Sequence, residues 1–126
     1  MTDSYDAQTE LLGALKGNEE LTSLVIGGFH NLVAKQSADF PRVVYTEIGN
    51  YDEDYADNKI NKSVVNFQIS VFCDEATIHK QTEITRLIAK IMHELQYKKY
   101  DSQDLYEEDT KLYHRGLRFT KNFWNN

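Results

Sequence analysis

The stretch from Lys62 to Leu95 permits few folds, because its apolar spacing changes once and cleanly. Val65, Phe67, Ile69, Val71 and Cys73 occupy every second position, with Asn66, Gln68, Ser70 and Phe72 between them. That alternation predicts a strand with one buried face. Beyond it, Ile84, Leu87, Ile88, Ile91 and Leu95 recur at helical spacing, which predicts an amphipathic helix. Asp74 or Thr77 is placed to accept a hydrogen bond from the first turn of that helix. A strand and a helix that are each apolar on one side escape water by covering one another. Phe67, Ile69 and Val71 are therefore expected to pack on Ile84, Leu87, Ile88 and Ile91, with the strand central to a sheet.

The flanking segments supply the rest of a layered domain. Tyr5 to Lys16 carries Ala7, Leu11, Leu12, Ala14 and Leu15 near one helical face, with Asp3 or Ser4 as cap and Asp6 and Glu10 near the positive end. Gly17-Asn18 reads as a helix stop, because both residues tolerate the left-handed conformation. Glu19 to Val25 reads as a short second helix, and Phe29 to Ala34 as a short strand or irregular edge. Arg42 to Ile48 is β-branched and aromatic, suited to a pleated surface. Tyr51 to Asn58 is an acidic segment between this run and the central strand, and is expected to form the extended tip of an antiparallel hairpin. Gln96 to Tyr100 reads as a polar connection. A second hairpin, Leu105–Glu108 with Lys111–Phe123, is expected around Asp109-Thr110. In its last strand Tyr113, Leu117, Phe119 and Phe123 share one parity, which Arg115 and Lys121 interrupt. The expected order is α-α-β-β-α-β-β, a single α+β domain over 1–126 with a largely antiparallel sheet of four or five strands.

Sites of chemistry are scarce. Asp52, Asp54 and Asp57 suggest a calcium loop, but EF-hand spacing from Asp52 puts Asp57 where a glycine must turn and Ser63 where a bidentate Glu must bind. His30, His79, His93 and His114 lack metal-ligand spacing. The glycines form no phosphate-cradling loop, and no nucleophile elbow is present. Cys73, the single cysteine, reads as a small buried hydrophobe. These patterns predict neither catalysis nor a cofactor or metal. No apolar run approaches membrane-spanning length and the N-terminus shows no secretory core, so a cytosolic protein without membrane contact is expected. The net charge of −6 disfavours nucleic-acid binding, which needs clustered cations.

Charge is unevenly placed. Asp101 to Asp109 carries five acids and no base, whereas Lys111 to Lys121 carries Lys111, Arg115, Arg118 and Lys121 and no acid. The plainer reading pairs these charges across the second hairpin. The alternative sets patches of opposite sign against each other in a head-to-tail association of identical chains. Candidate interface residues are Tyr51, Asp52, Glu53, Asp54, Tyr55 and Asp57 in the acidic tip, with Arg115, Arg118 and Lys121 on the last strand. The two tyrosines are a residue type enriched at interfaces.

The chain order resembles the tail-completion (tail-terminator, head-to-tail joining) family of bacteriophages and prophages. The resemblance rests on Leu11-Leu12-Gly13-Ala14-Leu15 with Leu21-Thr22-Ser23-Leu24-Val25, and on Phe40-Pro41-Arg42-Val43-Val44-Tyr45 before an acidic insert. It continues through Val64 to Phe72 with the Lys80–Leu95 helix, and ends in His114-Arg115-Gly116-Leu117-Arg118-Phe119. The resemblance implies a small α/β sandwich that works as a ring, often six-fold. Such a ring caps the tail tube, stops its growth and mates with the head connector, leaving a channel through which DNA passes without specific binding. It implies a location in the virion at the tail–neck joint, with assembly in the host cytoplasm, and no catalytic residues. The acidic tip and Trp124 have no counterpart in the family pattern. A head-completion or neck protein and a small protein-binding module are the alternatives.

Overall fold

A computed structural model describes residues 3–35, 39–56 and 59–124 of the chain. Five strands form one sheet: β1 (Phe29–Asn31), β2 (Arg42–Ala56), β3 (Lys59–Cys73), β4 (Lys98–Glu107) and β5 (Leu112–Trp124), in the order β1-β2-β3-β5-β4. Three helices, α1 (Ala7–Lys16), α2 (Glu19–Leu24) and α3 (Gln81–Glu94), cover one face. Only β1 against β2 runs parallel, and the remaining pairs are antiparallel. The result is an α+β domain of two layers.

The central alternation works as expected. Val65, Phe67, Ile69, Val71 and Cys73 are fully buried on the helix side of β3, in one cluster with Ile84, Ile88 and Ile91 of α3. Met92 joins them fully buried, while Leu87 and Leu95 lie at the margin. Across the sheet β5 adds Leu117, Phe119 and Phe123, and β2 adds Val43 and Tyr45. From the N-terminus α1 contributes Ala7, Leu11 and Leu15, and the α2 turn contributes Leu21 and Val25.

Several boundaries differ from the sequence reading. The Asp74 carboxylate accepts the Thr77 N–H at 3.0 Å and the Thr77 hydroxyl accepts the Asp74 N–H at 3.0 Å. This pair closes a turn ahead of a 3₁₀ segment, Ile78–Lys80, and so stands before α3 rather than capping it. Gly17 ends α1 in right-handed conformation (φ −76°), and Asn18 instead caps α2 by accepting the Leu21 N–H at 2.9 Å. Phe29–Asn31 is a true strand, so the order gains one β element before β2. The connection expected over Gln96–Tyr100 shrinks to Leu95–Tyr97, with Gln96 left-handed at φ +71°. Tyr97 buries its ring 5.8 Å from that of Phe67, and β4 begins at Lys98.

The acidic segment continues the expected antiparallel hairpin, and its pairing runs further than the sequence suggests: β2 and β3 stay paired through Asp52↔Ser63, Glu53↔Lys62 and Tyr55↔Ile60 to Ala56↔Lys59. Ile48 is the extra residue of a bulge between Glu47 and Gly49. Past it the parity of β2 inverts, so Asn50 and Asp52 lie on the helix side, and Tyr51 and Glu53 on the open side.

Candidate assembly surface

The ribbon formed by β2 and β3 outlasts the sheet that supports it. The last β5 partner of β3 is Trp124, opposite Lys62, and β1 pairs with β2 only from Val43 to Tyr45. Beyond these points, among the described residues, the two strands pair only with each other. The three further residues of each strand carry the ribbon about 10 Å past β5.

Its root is ordered by local contacts. Asn50 donates its side-chain N–H to the Ser4 carbonyl at 2.9 Å, tying β2 to the N-terminal turn. The Ser63 hydroxyl donates to the Asp52 carboxylate at 2.7 Å, and Lys62 lies 3.7 Å from Glu53. On the open face Lys62 also sits 5.3 Å from the ring centre of Trp124. Tyr51 and Trp124 remain 47% and 57% exposed there, and Ile48 at the bulge is 43% exposed, large apolar surfaces around a charged ribbon. Of the tip residues singled out in the sequence, Tyr51, Asp52 and Glu53 thus gather at the root. Asp57, and the side chains of Asp54 and Tyr55, lie outside the described residues.

The three cations of β5 are not brought together. Arg115 and Lys121 point to the helix side, Arg118 to the open face. Arg115 donates to Asp104 of β4 at 3.0 and 3.2 Å, which is the cross-hairpin pairing realised once. Lys121 is largely buried and meets Glu10 of α1 at 3.1 Å, clamping that helix to the sheet. Arg118 donates to the Gln68 side chain at 3.1 Å. On the same open face the His114 ring stacks on Phe72, with centroids 4.3 Å apart. Burial pulls its pKa below the usual histidine range, against the opposing pull of Glu107.

A basic surface that sequence spacing did not suggest lies at the opposite edge. Arg86, Lys90 and His93 share one exposed stripe of α3, and Lys98 and Lys99 open β4 beside its C-terminal end. Beside it is a cleft of about 720 Å³ whose polar lining is His93, Glu94, Gln96, Lys98 and Lys99, so one carboxylate stands among the lysines, with Phe119 among the remaining walls. The signal is divided between two elements, so no single run of sequence displays it.

Chemistry elsewhere is muted. Cys73 is fully buried, and burial pushes its thiol up to about 11, which keeps it protonated and inert. Burial likewise raises the Tyr97 phenol. Among the described residues no three His, Cys, Asp or Glu side chains stand together as a metal site.

A one-sided helical layer on a largely antiparallel sheet, with a projecting two-stranded ribbon, defines a small two-layer α+β domain. The family model described as tail completion protein gp17 matches residues 9–121, and the chain belongs to that family. Among solved structures the fold is shared with a chain of the virion of a native gene transfer agent particle. That match has a TM-score of 0.71 at 13% identity, covering 94% of each chain. The gp17 protein of bacteriophage SPP1 is also similar, with a TM-score of 0.54 at 12% identity over 98% of this chain and 91% of that one. No curated protein sequence matches.

Proposed function

We propose that this protein is a non-enzymatic structural subunit of a phage-type particle, which closes the end of the tail tube as an oligomeric ring and joins it to the head connector. The observation that carries this reading is the β2–β3 ribbon. A two-stranded ribbon without sheet neighbours is marginal in water on its own, and this one is rooted among exposed Tyr51, Ile48 and Trp124. Aromatic surface of that kind is enriched at interfaces. Tyr51, Asp52 and Glu53, continued in sequence by Asp54, Tyr55 and Asp57, are assigned to contact with a neighbouring subunit or the tube. Of the β5 cations, Arg118 on the open face is the one placed to face a partner, while Arg115 and Lys121 serve the subunit's own packing.

The family membership supports the tail-completion role, and the two virus-like structural neighbours share its fold. The acidic balance suits a passage that DNA crosses without adhering. Replacing Glu53–Lys62 by Asn-Gly retains the ladder through Asp52↔Ser63 and supplies a two-residue hairpin turn. The shortened protein is expected to fold and to fail in terminating tails, where the native chain succeeds in the same assembly reaction. Tails of unchanged length with the native chain would reject the tail-completion role, and normal termination by the shortened chain would reject the role of the ribbon.

A further inference from the structure

The outer edge of β4 is a free margin of the sheet. Among the described residues β4 pairs only with β5, so from Asp101 to Glu107 the N–H and C=O of every second residue point away from any strand. Tyr100, Leu105 and Tyr106 stand about half exposed along it. The charge of this edge reverses from one end to the other. Lys98 and Lys99 open the strand, and Glu107, Glu108 and Asp109 close it. Glu94 near the first end and Lys111 beyond the second reduce these charges and reverse neither. Among the described residues neither lysine nor Glu108 forms an ion pair. Glu107 accepts from the Thr110 hydroxyl at 3.1 Å and lies 3.9 Å from His114, a ring that burial keeps largely neutral near pH 7.

We infer that two copies of this chain pair antiparallel through their β4 edges, about a two-fold axis at Gln103, so that the sheet runs across the contact. The chemistry selects a second copy, because an edge whose charge reverses end to end complements its own inverted image. A parallel neighbour would set lysine on lysine. Two constraints fix the register. Opposed side chains of an antiparallel pair share a face. Gln103 and Leu105 lie on the open face with Gly116 and His114, and Ser102 and Asp104 on the helix side with Leu117 and Arg115. Only registers that oppose residues of equal parity therefore form. The register centred on Gln103 opposes Asp101 to Leu105 and Ser102 to Asp104, with no like charges facing. It also brings Lys98 and Lys99 beside Glu107 and Glu108 of the other copy. Centring on Asp104 would oppose Asp104 to itself and Asp101 to Glu107. Centring on Ser102 would leave the lysines facing Leu105 and Tyr106. Arg115 already holds Asp104 at 3.0 Å, which neutralises the acid nearest the axis on the helix side. At the bulge between Lys99 and Asp101 the ladder gives way, and the long lysine side chains span what remains. The contact uses neither the ribbon nor a tail and goes beyond the proposed ring.

Charge swaps read by mass in solution test the contact. The native chain is expected to rise with concentration from 14.7 kDa toward twice that mass. Lys98→Glu with Lys99→Glu makes both ends of the edge acidic, and Glu107→Lys with Glu108→Lys makes both ends basic. Each variant alone is expected to keep the mass of one chain. All four side chains are exposed, so an amide spectrum unchanged away from β4 reports the intact fold. An equal mixture of the two variants is expected to regain the doubled mass, since every end then meets its opposite. In that mixture hydrogen exchange at alternate amides from Asp101 to Leu105 should slow as concentration rises. A native chain that keeps a single mass at every concentration would overturn the inference. So would association that survives either reversal, a mixture that stays at the mass of one chain, or association that leaves those amides unprotected. Tail termination is not read here, so the ring reading stands or falls in its own assembly reaction.

Discussion

Strands β3 and β4 belong to one sheet and lie two positions apart, yet their surroundings are opposites. Five successive helix-facing residues of β3 are fully buried, whereas nine of the ten residues of β4 are exposed. The central strand draws its stability from side-chain burial. The edge strand has little beyond its backbone ladder to β5 and a few charge contacts, among them Arg115–Asp104. Charged, short-of-apolar edges also discourage indiscriminate strand addition, and the bulge between Lys99 and Asp101 adds to that protection. An antiparallel sheet of this kind concentrates its free energy of folding in the middle and leaves its margins chemically adjustable.

Substitutions along this gradient test the contrast. Phe67→Ala, in the middle of β3, is expected to cost about 3–5 kcal/mol in denaturant unfolding as a buried aromatic truncation. A loss below about 1 kcal/mol would remove the basis for the comparison. Lys121→Ala leaves Glu10 largely enclosed without its cation and is expected to cost about 1–3 kcal/mol. A double-mutant cycle with Glu10→Ala should recover much of that loss, and strict additivity of the two would show that the pair is not coupled.

His114 gives a smaller effect that depends on pH. Its folded-state pKa lies below the ordinary 6.5 because burial disfavours the imidazolium. The unfolded chain therefore takes up this proton at higher pH than the folded one. Its contribution is fully present above the ordinary histidine pKa and declines as pH falls toward the depressed value. Unfolding midpoints measured from about pH 7.5 to about pH 5 should fall less steeply in His114→Gln than in the native chain, and parallel curves would contradict this. The weakest responses belong to β4. Leu105→Ala and Asp104→Ala are each expected to change stability by less than about 1 kcal/mol, and a loss comparable to that of Phe67→Ala would erase the distinction between centre and edge.

The same gradient explains what was legible in the sequence. β3 and α3 announce themselves because one face of each is buried, and a single buried face writes a period into the chain. β5 is legible for the same reason through Leu117, Phe119 and Phe123. β4 carries no period, since neither face is covered, and Lys98-Lys99 reads as a connection. β1 is too short to show alternation in three residues. The ribbon reads as a hairpin tip and shows no strand pattern, because Asp and Asn are poor strand formers, while its ladder is set by the register inherited from the sheet. Of the candidate site, the acidic half stands in one run of sequence. The cationic half needs the fold to bring α3 beside β4, and the same fold draws Arg115 and Lys121 into ion pairs within the domain.

The bulge at Ile48 has a bearing on how such a chain can change over time. It sets the phase of everything distal to it: one residue more or fewer in the strand would exchange the two faces of the ribbon, turning Tyr51 and Glu53 inward and Asn50 and Asp52 outward. Insertions that leave the facing intact come in twos on each strand, and each such step lengthens the projection by about 7 Å. The core of the domain is untouched by any of them. The reach of this ribbon is thus a quantised quantity, adjustable in increments while the body that carries it stays the same.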